Sequence, residues 1–266
     1  MTISPGAQPD SVTSRFAPRD VLLRLIGWRA TILHGDATVV DRWKWLARHL
    51  RPGPLRTLDA GCGSGAFTMF AAMQGNSAVG VSDSPEELAA ARRRATFLGL
   101  EDVEFVRADL RQLEQVGGSL GTFDQILLLE CIEHIRDDNA LIESLAARLE
   151  PGGTLLLTAP NANHKPLWGE HISAHEDGGH VRYGYTFPQL RALFERHGLE
   201  VVATEGVAGM IAQKLASMQF ALCRVHPLLG WALTFPLRVF RPLDETLTRV
   251  LRYPALSVAI VGRKPS

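Results

Sequence analysis

Between Leu55 and Gly206, short β-rich runs alternate with runs of helical period, and that alternation restricts the chain to a parallel sheet covered on both faces. Strands are expected near Leu55–Ala60, Ala78–Ser82, Val103–Arg107, Phe123–Leu129, Leu155–Ala159 and Leu199–Thr204, with a seventh at Leu256–Val261. The helix after the second strand opens on Ser84-Pro85-Glu86-Glu87, an N-cap serine, a first-turn proline and a capping-box glutamate, and ends at Gly99. The helix before the sixth strand opens on Thr186-Phe187-Pro188-Gln189 and stops at His197-Gly198.

Two segments lie outside the alternation. Arg19 to Leu50 reads as two helices, with Trp28, Trp43, Trp45 and Leu46 as packing residues. Gly209–Arg252 interrupts the connection between the last two strands and is rich in Leu, Phe, Trp and Pro with scattered Arg. Its longest uncharged apolar stretch, Pro227–Leu237, is shorter than the ~20 residues a membrane span requires. With 266 residues and roughly 150 per domain, the chain is expected to form one domain. Its parts are a polar tail (1–18), N-terminal helices (19–54), a core (55–160), a loop (161–185) and a helical insertion (209–252).

Charge narrows the partners. Lys+Arg 28 balances Asp+Glu 28, so the basic bias that phosphate-backbone binding needs is missing and no nucleic acid is expected. From Val207 onward, however, basic residues outnumber acidic ones eight to two. Three dispersed cysteines, Cys62, Cys131 and Cys223, fit reduced thiols, and the polar first residues carry no secretion signal, so a cytoplasmic protein is expected.

The strongest chemical signal is Leu58-Asp59-Ala60-Gly61-Cys62-Gly63-Ser64-Gly65, placed where a strand stops and a helix begins. Gly61, Gly63 and Gly65 allow a tight turn and close approach of a ligand, beside the free N–H groups of a helix N-terminus. The same residues satisfy the loose dinucleotide pattern, so a nicotinamide oxidoreductase stays open on the loop alone. Asp59 directly before the turn suits an ammonium or sulfonium ligand and opposes a pyrophosphate, which favours S-adenosylmethionine over NAD.

With this loop the sequence resembles the class I S-adenosylmethionine-dependent methyltransferases. The likeness rests on five motifs in order: LDAGCGSG at 58–65, GVSDSPEEL at 80–88, ADL at 108–110, FDQILLLECIEHI at 123–135 and LEPGGTLLLTAPN at 149–161. The resemblance implies a Rossmann-like three-layer α/β sandwich whose seven-stranded sheet is mostly parallel with the last strand antiparallel. It implies S-adenosylmethionine as cofactor, with Asp59, Gly61, Gly63 and Gly65 at the methionine end and Asp109 with Leu110 at adenine. One position departs from the family form G-V-D-x-S-P: the ribose acid is replaced by Ser82, and Asp83 follows it. Either Asp83 is delivered by a twist of the strand end, or Ser82 makes a weaker contact, or Asp83 is a solvated turn residue.

Glu130-Cys131-Ile132-Glu133-His134 falls at the carboxyl end of the fourth strand, where open α/β sheets place ligands. Glu130 is grouped with the cofactor residues, and Glu133 and His134 with the catalytic ones, His134 orienting a substrate hydroxyl or taking its proton. The E-x-x-E-H spacing also resembles the metal site of ubiquinone-pathway and small-RNA 2′-O-methyltransferases, although no metal is assigned. In the loop after the fifth strand, GGHVR followed by tyrosine resembles a pocket-lining loop of related methyltransferases, which implies His180, Arg182 and Tyr183 as substrate-side candidates, whereas His164, His171 and His175 read as surface residues.

The expected activity is therefore methyl transfer to a small molecule. Oxygen is the favoured acceptor because histidines are available to remove a proton, with carbon and nitrogen left open. A cofactor-binding regulatory protein without catalysis is the alternative. The apolar, basic insertion is expected to cover the site, implying an apolar or lipid-like acceptor, and to touch a membrane surface weakly. It equally suits a packing element or a homodimer contact.

Overall fold

The computed structural model describes residues 23–33, 38–113, 120–168 and 172–266. The expected 1–18 tail and His171 lie outside the described residues. Ahead of the sheet, Arg29–Leu33 forms α1 and Val39–His49 forms α2. The strands are β1 (Arg56–Ala60), β2 (Ser77–Ser82), β3 (Val103–Arg107), β4 (Phe123–Leu129), β5 (Leu149–Pro160), β6 (Glu200–Val207) and β7 (Ser257–Arg263). Their order is β3-β2-β1-β4-β5-β7-β6, with β7 antiparallel to both β5 and β6 and the remaining pairs parallel. The expected Rossmann-like sheet is thus present, and its strand order reverses between β1 and β4, the crevice where such sheets bind ligands.

Period-two alternation makes both faces of the central strands apolar. Ile126, Leu128, Leu155 and Leu157 bury toward one core with Leu190 and Phe194, whereas Leu127, Leu129 and Leu156 bury toward the other with Trp45 and Leu46. Trp28 is buried in that second core and its indole N–H donates to the Ala66 carbonyl at 2.6 Å, so the N-terminal helices are welded to the sheet. Trp43 packs there too, partly exposed.

Helices α3 (Ala66–Met73), α4 (Pro85–Phe97), α5 (Asp138–Ala147) and α6 (Phe187–Arg196) fill the crossovers. The N-terminus of α6 carries a reciprocal capping box between Thr186 and Gln189. At α4 only half of it forms: Ser84 Oγ accepts from Glu87 N, but the Glu87 carboxylate turns to the Ser82 hydroxyl. The reason is local, because the Ser84 N–H that Glu87 would have satisfied already donates to Ser82 Oγ. The other correction is at β5, which starts at Leu149 rather than Leu155, since Leu149 pairs with Phe123 across an irregular register that the Gly152-Gly153 turn permits.

Between β6 and β7 lie α7 (Met210–Val225), α8 (Pro227–Thr234), a 3-10 helix (Pro236–Leu243) and α9 (Asp244–Val250). The buried Asp244 carboxylate accepts from the N–H groups of Gly209, Ile211 and Ala212, capping α7 from a distant part of the chain. Arg241 pairs with Asp41 on α2, and Gln213 Oε1 accepts from Lys165 N in the loop after β5 at 3.0 Å. The insertion is therefore fastened to both segments that border the carboxyl ends of the strands. Among the described residues no helix is long and apolar enough to cross a membrane.

Candidate active site

The loop after β1 is folded back by its own backbone: Gly61 N and Cys62 N both donate to Val81 O, and Gly65 N donates to Cys62 O. All three glycines have positive φ, but for different neighbours. A Cβ at Gly65 would come within 2.8 Å of Phe105 and 2.9 Å of Ala91, and one at Gly61 within 2.7 Å of Cys131 Sγ, so those two are demanded by packing. Gly63 is different, because the nearest atoms to its Cβ position are the Glu87 carboxylate oxygens at 3.6 Å. Packing therefore does not demand a glycine at Gly63.

Asp59, directly before that loop, is buried. It is 2% exposed, and the Thr68 hydroxyl of α3 donates to its Oδ2 at 2.6 Å. Burial raises its carboxyl from 3.8 to about 6 against that hydrogen bond. For an acid raised on folding, the native state binds the extra proton between those values, so stability falls as pH rises from about 4 to about 6 and stays lowered above. Asp59→Asn, which keeps an acceptor for Thr68, is expected to stabilise the cofactor-free protein at pH ~7.5 by about 1–3 kcal/mol. Thermal melts should show the gain shrinking toward zero near pH ~4. An equal gain at both pH values would contradict a buried, ionising Asp59.

At the end of β2, Ser82 is buried and its hydroxyl is committed to Glu87 at 3.3 Å. Asp83 is exposed at the tip, and its charge reaches Cys131, whose thiol is pushed up to about 12 by burial and then by Glu133, Asp59 and Asp83. Asp83 and Glu87 are both exposed here, and the Glu87 carboxylate also lies 3.6 Å from the Cβ position of Gly63. Sequence reasoning read Glu87 only as a cap; the signal that could have found it is the serine in place of the ribose acid, which leaves an adjacent acid unaccounted for.

After β3, Asp109 caps the turn Leu110–Gln112, and both its oxygens accept from the Arg111 guanidinium at 2.6–2.9 Å. The Arg111 hydrogen bond holds the Asp109 carboxyl below the usual carboxylate range. The Leu110 side chain is buried, 3.6 Å from the Cβ position of Gly61. Arg111 lies 3.5 Å from Glu176 of the loop after β5, and Glu176 also accepts from Arg136 N. That loop is latched across the strand ends next to Asp109.

After β4 the backbone is strained: Glu130 sits at φ 49, in the left-handed region that a residue with a side chain occupies only when its surroundings hold it there. Its Oε2 is 3.8 Å from Arg42 of α2, and its buried Oε1 has no hydrogen-bond partner. Ile132–His134 form one 3-10 turn. Glu133 is 1% exposed with Oε2 unpartnered; burial first and the Glu130 charge second push its carboxyl well above the usual range. His134 Nδ1 lies 3.1 Å from the Gly179 carbonyl, which only accepts, so Nδ1 is the donor of that contact and Nε2 is the nitrogen left outside it. Nε2 is 3.8 Å from Glu133 Oε1; His180 Nε2 is 4.0 Å from the same oxygen, and the two imidazoles meet edge to face at 4.9 Å.

The fold thus brings together Glu133, His134 and His180, with Glu130 acting on Glu133 through its charge. Arg182, expected on the substrate side, is instead structural: it pairs with Asp138, donates to the Tyr185 hydroxyl and holds the Ile135 and Arg136 carbonyls. Tyr183 and His175 are exposed, while His164 is half-buried with Nδ1 2.6 Å from the Asn161 carbonyl.

Residues 35–204 match the family model described as a methyltransferase domain. The chain belongs to that methyltransferase family. Among curated relatives, the ubiquinone biosynthesis O-methyltransferase of Xanthomonas axonopodis pv. citri is 30% identical over 121 residues, covering 45% of this chain and 49% of that one. The chain spans about half the length of the curated relatives it matches. Among solved structures, the phosphoethanolamine N-methyltransferase 2 of Haemonchus contortus superposes with a TM-score of 0.60 at 18% identity, covering 94% of this chain and 60% of that one. The cyclase SpnF superposes at 0.58 and 20% identity, covering 85% and 82%. The methyltransferase fold is therefore shared with a protein named for other chemistry, and the chemistry of this one has to be argued from its own cleft.

Proposed function

We propose that the protein transfers a methyl group from S-adenosylmethionine to a hydroxyl of an apolar or lipid-like small molecule. The observation that carries the reading is His134, Nδ1 engaged with Gly179 O and Nε2 beside the buried Glu133, one strand away from the loop of Gly63. The site suits the cofactor: Asp83, Glu87 and Glu130 make it acidic, which favours a sulfonium and ammonium ligand and opposes the pyrophosphate of NAD. When bound, S-adenosylmethionine supplies an activated methyl group on sulfur.

In this reading Gly61–Gly65 lie along the methionine end, Asp83 and Glu87 accept from the ribose hydroxyls, and Leu110 packs on adenine. Asp109 orients Arg111 and through it the latch at Glu176. His134 Nε2 takes the acceptor's hydroxyl proton as the oxygen is alkylated. The name O-methyltransferase borne by the curated relatives agrees with an oxygen acceptor. A cytoplasmic setting is consistent with Cys62, Cys131 and Cys223 forming no disulfide.

A second reading has its own observation. Ligand atoms of Glu133, His134 and His180 lie within 4.8 Å of one another, close enough to hold one divalent ion, and the orphaned Glu133 Oε2 would gain a partner. One experiment addresses both. With methyl-labelled S-adenosylmethionine and a catechol bearing an alkyl tail, label should appear in an ether, and a chelator should leave the rate unchanged if His134 acts as base. Loss of activity with chelator, restored by manganese or magnesium, would move His134 from base to ligand. No labelled product with any hydroxyl acceptor, despite cofactor binding, would replace the enzymatic reading with a regulatory one.

A further inference from the structure

The Pro236–Leu243 segment is a 3-10 helix of eight residues, longer than the three or four that such helices usually reach. With three residues per turn it carries three ridges. Arg238, Arg241 and the following Asp244 form one of them, and this charged ridge faces the protein: Arg238 donates to Gln219 and lies 4.6 Å over the Trp231 ring, Arg241 pairs with Asp41, and Asp244 is buried. The other two ridges, Pro236-Val239-Pro242 and Leu237-Phe240-Leu243, are exposed along their whole length. The usual amphipathic order is inverted, with charge turned inward and apolar side chains turned to solvent.

The inversion extends beyond this helix. More than half of the exposed large apolar side chains among the described residues fall between residues 220 and 251, including Phe220 at 71%, Leu228 at 72% and Val239 at 72% exposed. Exposed Arg224 lies near the start of this run and exposed Arg252 directly after its end, and its exposed acid, Glu245, is already paired with Arg249. Outward apolar side chains accompanied by exposed cations match a bilayer interface that carries anionic headgroups, where the apolar groups enter the acyl boundary and the guanidinium groups meet phosphate.

We infer that the 209–252 insertion is an interfacial anchor that seats the protein reversibly on an anionic lipid bilayer. The anchor stands independently of the methyl-transfer reading, because it is carried by the insertion alone. It has a consequence for that reading, since Arg241 and Gln213 fasten the anchor to α2 and to the loop after β5, which border the cleft. An acceptor dissolved in the bilayer would then reach the site without crossing water.

The test is flotation of the full chain with vesicles of phosphatidylcholine containing one-third phosphatidylglycerol, against vesicles of phosphatidylcholine alone, at low and high salt. Binding is expected on the anionic vesicles at low salt and weakened at high salt. The double variant Arg224→Glu/Arg252→Glu should lower the partition coefficient by roughly tenfold or more on anionic vesicles. The triple variant Leu228→Ser/Val239→Ser/Phe240→Ser should abolish binding while keeping the wild-type circular dichroism and melting temperature, because those side chains support no core. Vesicle binding unaffected by the triple variant would overturn the proposal, as would failure of the wild type to float with any anionic vesicle. A dimer in solution that the triple variant dissociates, without vesicle binding by the wild type, would overturn it in favour of a second copy of the chain.

Discussion

Replacing His134 with alanine lowers turnover by roughly 10²–10⁴-fold, the range for loss of a general base, and leaves the dissociation constant for S-adenosylhomocysteine unchanged. The expectation follows from the Nδ1 contact with Gly179 O, which engages one nitrogen and leaves the other as base. His134→Gln keeps a donor near that carbonyl but has no base, so it should match alanine in rate while retaining loop geometry. Steady-state rates and product titration on the same preparations separate the two effects. A variant with wild-type turnover would remove His134 from the reaction; one with weakened product binding and normal turnover would make it a cleft-shaping residue.

Gly63→Leu should weaken S-adenosylhomocysteine by at least ~100-fold, equivalent to about 2.7 kcal/mol, while the protein still folds. Its φ of 51 makes a side chain cost about 1–2 kcal/mol, and its Cβ position meets nothing closer than the Glu87 carboxylate at 3.6 Å. Gly65→Leu bears the same kind of backbone strain and also drives a Cβ into Phe105 and Ala91 at 2.8–2.9 Å. Overpacking of about 1–3 kcal/mol then adds to the strain, and a visible loss of melting temperature is expected. Titration calorimetry and thermal melts of the pair distinguish a residue kept small for the ligand from one kept small for the fold. Wild-type product affinity in Gly63→Leu would place the ligand elsewhere.

The sheet was legible because each local signal agrees with the others: aliphatic strands, the Ser84 and Thr186 caps, and the Gly99 and Gly198 stops all fall where an alternating α/β chain needs them. The EH group was legible for a related reason, since four successive β-rich runs place it at a strand's carboxyl end. What escaped the sequence depends on distant partners. Whether Glu87 completes a cap or turns to Ser82 is decided by the Ser84 N–H, already satisfied from another direction. Arg182 reads as a substrate contact beside His180, yet Asp138 and the Tyr185 hydroxyl claim it. In the insertion the composition showed arginines among apolar residues but not which way each pointed, and Asp41, far away on α2, decides that Arg241 faces inward.

Calorimetric titration of the protein with S-adenosylmethionine and, separately, with NAD tests the central claim most directly. The account predicts one saturable site for S-adenosylmethionine and its demethylated product, lost in Gly63→Leu, with no measurable heat from NAD. Saturable binding of NAD at that loop, with none of S-adenosylmethionine, would contradict it.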